Sequence, residues 1–437
     1  MKKFTTRLKS KHRLLHPYVL SILGFFLSVP LFAQENKEDL VGVKGAINPQ
    51  QMNARQLVGQ ELIDDAFPNS IPIFGSKSRI KFGGYVKMDY IQDFNYIGSA
   101  YEFESATIPI KGSPESYLKG QSTFHAKETR FNVDFRTVVK GLRSGKEMPL
   151  QIFIEMDFFE DDPSLYRQPR LRHAYGVFGN ILAGQTWSIN ADLSAIPGII
   201  DFAGGDGTYG DRVIQIRWTD KITKNLSYTV GMEGPKSGID NPYELEGVAR
   251  TTMPTFAGNV RWEMNKFSHM QLGADVFQHH WQGGQYGPTQ KAYGYGINLT
   301  GRFVLDKKHR NSLMFGASTG KGAGHRILFL EFSPSDGVIS DNQLELLNAH
   351  QAYIGYNHYW TKSLNTTVAA YYASLNTVDY QLDETTQQGG TFHANLVWMP
   401  YTNVSFGVEY MHGVHVVKDG RYGQANRLQF MTRFRIP

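Results

Sequence analysis

Five arginines stand in short segments whose neighbouring residues alternate between apolar and polar. Arg130 and Arg136 alternate with Phe131, Val133 and Phe135; Arg170 and Arg172 flank Leu171; Arg217 lies between Ile216 and Trp218. By parity the guanidinium groups share one face, with Asn132, Asp134 and Gln215, while Tyr175, Val177 and Ile214 join the opposite, apolar face. A guanidinium forks onto a carboxylate in bidentate fashion, so a row of them lining a hollow would bind and pass organic anions. Glu128, Asp134, Glu155 and Asp157 fall on the same wall, so some of these arginines are expected to pair with neighbours instead. A second set of charges sits in NADLSAIPGIIDFAGGDGTYGD, within 189–211. Leu193, Ile196, Ile199, Ile200 and Phe202 are wasted on a loop in water. They make sense if the loop folds inward and packs on a wall, leaving Asp192, Asp201, Asp206 and Asp211 near a passage. The glycines of 204–210 permit the tight reversal this needs. Carboxylates facing arginines would set up a transverse field across the constriction.

Other chemistries find less support. The chain has 14 histidines and no cysteine, which removes disulfides and thiolate metal sites. His279 and His280 are adjacent and point to opposite faces of a strand; His350 and His358 are too far apart to share an ion. No metal site or cofactor is expected. There is no GxSxG, no phosphate-binding loop and no placed Ser/His/Asp set, so an enzyme is not expected either.

The elements that must carry these residues are strands. About sixteen segments show two-residue alternation bounded by turn signals: 79–93, 123–138, 149–160, 169–178, 180–188, 212–219, 225–233, 254–264, 267–280, 290–304, 312–320, 349–360, 364–375, 390–399, 403–416 and 425–436. Most reach the roughly 9–11 residues that a tilted strand needs to cross a bilayer. Short turns alternate with long loops near 94–122, 189–211, 234–253, 321–348 and 376–389, as in outer-membrane barrels. Trp218, Trp360 and Trp398 near strand ends suit interfacial girdles. The expected fold is all-β, a transmembrane antiparallel barrel over 79–437 with a constriction loop folded into the lumen, the loop at 189–211 joining strands five and six. An alternative is a barrel with a blocked lumen whose outer loops, 94–122 and 321–348, serve adhesion or receptor binding.

A mean hydropathy of −0.36 is too polar for a bundle of membrane helices, but a barrel meets lipid with only every second strand residue. Residues 1–33 read as a cleaved export signal, with six basic residues ahead of an apolar run from Tyr18 to Phe32. Without it 39 basic residues face 40 acidic ones, so the pI near 9.0 belongs to the leader and nucleic acid is not an expected partner. Residues 34–78 are polar and interrupted by prolines, and read as a periplasmic arm.

The stretch RLRHAYGVFGNILAGQTWSINADLSAIPGIIDFAGGDG followed by RVIQIRW, with the first strand IKFGGYVKMDYIQDF, resembles the DcaP family of outer-membrane porins. GQTWS, Pro197 and Asp201-Phe202 ahead of the glycines are its specific part. The resemblance implies a sixteen-stranded barrel, three per assembly, in the outer-membrane lipid, with the third loop narrowing each pore and small, often anionic, organic solutes passing.

Overall fold

The computed structural model describes residues 67, 69–73, 77–159, 168–308, 310–340 and 343–436. The 1–33 leader and almost all of the 34–78 arm lie outside the described residues. The alternating segments form sixteen staves of one antiparallel sheet. They are β1 (Ser78–Asp93), β2 (Gln121–His125 and Arg130–Lys140), β3 (Glu147–Asp157), β4 (Arg170–Phe178), β5 (Ile181–Trp187) and β6 (Arg212–Lys221). β7 (Leu226–Glu233), β8 (Val248–Arg250 and Thr255–Glu263), β9 (His269–Gln282), β10 (Gln290–Val304) and β11 (Ser312–Lys321) follow. β12 (Asn348–Tyr359), β13 (Leu364–Leu375), β14 (Thr386–Tyr401), β15 (Val404–Val417) and β16 (Tyr422–Arg435) complete the set. β16 pairs back onto β1, from Tyr85↔Arg435 to Asp93↔Arg427, and closes the barrel. Closure leaves no unpaired strand edge in lipid, where an orphaned backbone group costs several kcal/mol.

The alternation sorts the faces. Ile214, Ile216 and Trp218 of β6 are exposed on the outside, while Gln215 and Arg217 between them are buried. Phe131 of β2 and Ile152 and Ile154 of β3 are likewise exposed, against buried Arg130, Asp134, Gln151 and Glu155. A lipid-facing arginine at mid-depth would cost about 2–4 kcal/mol, and the register avoids that. One inference from parity needs correction. Tyr175 and Val177 do not share the outward face of Leu171; both are buried on the inside, packed with Phe153 and Leu182. The cause is a β-bulge, with Glu155 opposite His173 and Met156 opposite Leu171, so that Arg172 is an extra residue and the parity flips after it.

All connections on one rim are short: 141–146, 179–180, 222–225, 264–268, 305–311, 360–363 and 402–403. The other rim carries the loops, numbered in order, among them loop one (94–120), loop two (158–169), loop three (188–211), loop four (234–247) and loop six (322–347), with one, three and six the longest. Loops one and six pack inward over much of their length. Phe103, Ile108, Ile327, Phe329, Leu330, Val338 and Leu347 are buried, and loop six packs with Tyr209 of loop three against Ala349, Ala373 and Leu375 of the barrel wall. Ahead of β1, Ile71–Ile73 pairs antiparallel with Ser78–Ile80, and Phe67 lies under the Arg136 guanidinium, 4.0 Å from ring centre to charge.

Candidate pore constriction

Loop three leaves β5 at Trp187, crosses the lumen and returns to β6 at Arg212. Its backbone carries many groups that need partners, and inward side chains of the wall supply them. Asn298 and Asn259 donate to the carbonyls of Asn190 and Ile189, at 3.0 and 2.6 Å. On the far side Asn395 donates to Gly198 O at 3.0 Å, and Glu409 accepts from the amides of Ile200 and Asp201 at 2.6 and 3.2 Å. Lys87 donates to Ile200 O at 2.8 Å. Leu193, Ile196 and Ile200 are buried by this crossing, and Ile199 packs against Tyr353, Ala369 and Tyr371. The glycines are used as expected. Gly204 and Gly210 have positive φ, and a Cβ on Gly207 would sit 2.7 Å from the Ala352 carbonyl oxygen.

The four loop acids singled out from sequence do not share one place; Asp211 meets Arg326 and Lys236. Asp192 is turned to the β8–β10 wall, where it accepts from Arg261 at 3.0 Å, Thr300 at 2.8 Å and Ser194 at 2.6 Å, with His269 Nε2 at 2.8 Å. Burial alone would raise its pKa, but the charges of Arg261 and His269 hold it well below the usual carboxylate range. Asp201 and Asp206 turn to loop one. Asp201 accepts from the Phe103 amide at 3.1 Å, and Asp206 from the Ser105 amide at 3.4 Å and its hydroxyl. Burial pushes both carboxyls up to about 6, against the Arg427 charge at Asp201 and the Ser105 hydrogen bonds at Asp206. Glu104 sits in the same seam, and burial together with Glu102, Asp201 and Asp206 raises it to about 10. These three carboxyls therefore face a loop–loop seam rather than the arginine wall.

Four of the five arginines meet acids on their own wall. Arg172 is fully enclosed, donating to Glu155 at 3.1 Å and to Asp157 Oδ2 at 2.7 Å; Arg170 forks onto both Asp157 oxygens, at 3.0 and 3.1 Å. Arg136 donates to Asp134 at 2.8 Å, at the end of β2 near the short turns. Arg130 reaches Glu128 only at 3.9 Å, and its Nε has no hydrogen-bond partner among the described residues. Arg217, the fifth, donates once, to Gln215 at 3.1 Å, while its Nε and Nη2 find no partner among the described residues. Arg130, Arg170 and Arg172 also gather around the tip of loop three. Their guanidinium carbons lie 5.4–5.7 Å from the Phe202 ring. That ring stacks on Phe159 of loop two at 3.8 Å and 7°. Lys127 lies 5.0 Å from the Phe159 ring and 3.9 Å from Tyr101 of loop one. The Phe202–Phe159 ring pair is thus surrounded by four cations, Arg130, Arg170, Arg172 and Lys127, with Glu128, Glu155 and Asp157 among them.

A further residue, which alternation does not reveal, holds this arrangement together. Arg326 of loop six is buried among Glu233 of β7, Asp275 of β9 at 3.6 Å and Asp211 of loop three at 3.4 Å. Around it the two loops share backbone hydrogen bonds, Gly210 N–H to Arg326 O at 2.7 Å and Leu328 N–H to Thr208 O at 3.1 Å. Loop six therefore clamps loop three from above.

Residues 47–436 match the family model of the DcaP outer membrane protein. The fold is similar to the outer membrane channel DcaP of Acinetobacter baumannii, with TM-score 0.72 and 20% identity over 84% of this chain and 100% of that one. It is also similar to in-vitro folded OmpT, an outer membrane protein of Vibrio cholerae, with TM-score 0.51 and 10% identity over 84% and 100% of the two chains. No curated protein sequence matches the chain.

Proposed function

This chain belongs to the DcaP outer membrane protein family, and we propose that it is a passive diffusion channel whose constriction favours small organic anions such as mono- and dicarboxylates. The observation that carries the preference is the set of buried guanidinium donors with no hydrogen-bond partner among the described residues, Nε of Arg130 and both Nε and Nη2 of Arg217. A buried donor without an acceptor costs about 1–3 kcal/mol, more when charged, and a carboxylate moving along the wall would relieve that cost. Arg170 and Arg172 are committed to Asp157 and Glu155, so their part is to fix the wall rather than to meet the solute. In this reading the loop acids add little opposing field, because Glu104, Asp201 and Asp206 are sunk in their seam. The chain works in the outer membrane as a homotrimer; residues 1–33 are removed on export, and 34–78 form a periplasmic arm. It acts as a channel and not as an enzyme.

Reversal potentials in planar bilayers test the preference. Arg130→Gln and Arg217→Gln together should move selectivity towards cations while the channel stays open, with current steps arriving in threes. Arg172→Gln should instead weaken folding, since removing one partner of a buried pair costs about 3–5 kcal/mol. Unchanged reversal potentials in the first pair would sink the anion reading.

A further inference from the structure

Away from the passage, one cluster has ligand chemistry that the channel reading does not use. His279 of β9 and His325 and Asp336 of loop six bring two imidazole nitrogens and a carboxylate oxygen within 4.8 Å of one another, all three residues buried. The His279 ring is already oriented. Its Nε2 lies 2.8 Å from the carbonyl oxygen of Gly322. A carbonyl can only accept, so Nε2 carries the proton and Nδ1 offers its lone pair to the cluster. That is the tautomer of a metal-ligating histidine, whose second nitrogen usually donates to a carbonyl or carboxylate. Nδ1 of His279 lies 2.9 Å from Ser237 Oγ and 3.9 Å from Asp336 Oδ2. Across the cluster His325 Nδ1 lies 2.8 Å from Asp336 Oδ1. The carboxylate is held in place by backbone amides, Gly238 N–H to Oδ2 at 2.7 Å and His325 N–H to Oδ1 at 3.0 Å.

We propose that His279 Nδ1, His325 Nδ1 and Asp336, with Ser237 Oγ as the fourth group, form a structural site for a borderline divalent cation, Zn²⁺ by its ligand set. Bond lengths of about 2.0–2.1 Å to nitrogen and oxygen put tetrahedral ligand atoms roughly 3.3–3.5 Å apart. The 2.8 and 3.9 Å separations found here bracket that value. The site closes with small side-chain shifts: the Nδ1 proton of His325 leaves to solvent or shifts to Nε2 as the ion binds, and the His325–Asp336 hydrogen bond is replaced by bonds from both groups to the ion. Two imidazoles with one carboxylate suit zinc, whereas calcium and magnesium seek oxygen ligands. The His325 side chain keeps 9% of its exposure while His279 and Asp336 keep none, so the ion enters past His325.

The site joins three pieces of chain: β9 through His279, loop four through Ser237 and Gly238, and loop six through His325 and Asp336. The same two loops share a small sheet in which Ile239–Asp240 pairs with Gly337–Ile339 and that strand with Leu344–Leu346. Arg326, the clamp on loop three, follows His325 directly. A bound ion would therefore fix the outer part of the loop that sets the constriction.

The test uses the purified full-length mature barrel, stripped with chelator, loaded with Zn²⁺ and dialysed before metal counting. The expected result is one zinc per chain. His325→Ala and Asp336→Asn should each lose it while still migrating as heat-modifiable folded barrels. X-ray absorption of the zinc-loaded native protein should show two imidazoles in the first coordination sphere; this reading does not depend on either variant folding. No zinc retained by the native chain, equal zinc in native and variant chains, or a zinc spectrum without imidazole would each overturn the proposal.

Discussion

Replacing Arg326 with methionine should release loop six from loop three and make the channel unsteady. The guanidinium is the shared partner of Glu233, Asp275 and Asp211, of which, among the described residues, only Asp211 has a second cation, Lys236, in contact. Burial would lower the charge on Arg326, but Glu233, Asp275 and Asp211 reverse that and hold it firmly protonated. Methionine keeps much of the volume and removes the charge, leaving Glu233 and Asp275 facing each other without a cation. Breaking a buried pair in this way costs about 3–5 kcal/mol. At 1.36 kcal/mol per decade, that moves the docked-to-undocked balance of the loop roughly 10²- to 5 × 10³-fold towards undocking. The lower end is the better guide, because the stranded acids can each take up a proton. Single-channel records should change from steady steps to flicker between the native level and a larger one. Chymotrypsin should gain access to Phe329, which is 1% exposed in the docked loop. Adding Glu233→Gln and Asp275→Asn to the same chain should restore both quiet records and protection. A methionine variant as quiet and as protected as the native barrel would refute the clamp.

Three further outcomes follow from the same geometry. The Asp206 carboxyl is raised from 3.8 to about 6 in the folded seam beside Ser105, Glu104 and Asp201. Its protonation therefore favours docking of loops one and three fully below about pH 4 and fades as the pH rises through 6. Protease protection of loop one should be stronger at pH 5 than at pH 8, by about 1.4 kcal/mol from this carboxyl; Asp206→Asn should reduce that slope, and an equal slope in both chains would refute the assignment. Gly207→Val should lift loop three off β12, because its Cβ would meet the Ala352 carbonyl oxygen at 2.7 Å; the expected sign is a larger single-channel conductance, and an unchanged value would contradict the seating described. Phe202→Ala removes the ring that fills the space between Arg130, Arg170 and Arg172, so conductance should rise with folding retained, whereas a fall would place the ring outside the narrow zone.

What alternation could report, it reported well. Period-two patterning is local, so sixteen staves, their faces and the division into short turns and long loops were legible from 79 onward. The inward fold of loop three was legible too, because Leu193, Ile196 and Ile200 are too apolar for water. Parity failed at Arg172, where a bulge adds one residue without any local signature and carries Tyr175 and Val177 to the inside. The partners of Asp192, Asp201 and Asp206 were out of reach for a different reason. Arg261, Phe103 and Ser105 lie far from them in sequence, and loop contacts have no period to read. The same holds for Arg326 and for His279 with His325 and Asp336, where one strand residue meets two loop residues. Adjacent histidines such as His279 and His280 draw the eye, yet the strand sends them to opposite faces.

The seating of loop three also bears on the order in which the barrel is built. Its chain is complete once β6 has been made, but its holding groups arrive later: Asn298 on β10, Arg326 after β11, Asn395 on β14 and Glu409 on β15. A half-assembled barrel can therefore contain the constricting segment but not fix it, and presents a wide, ungated opening. The contacts that seat loop three are complete only when β14 and β15 are in place. Stalled intermediates lacking β14–β16 should behave as leaky, unselective holes, and a cell that clears such intermediates quickly protects the permeability barrier as much as it recycles protein.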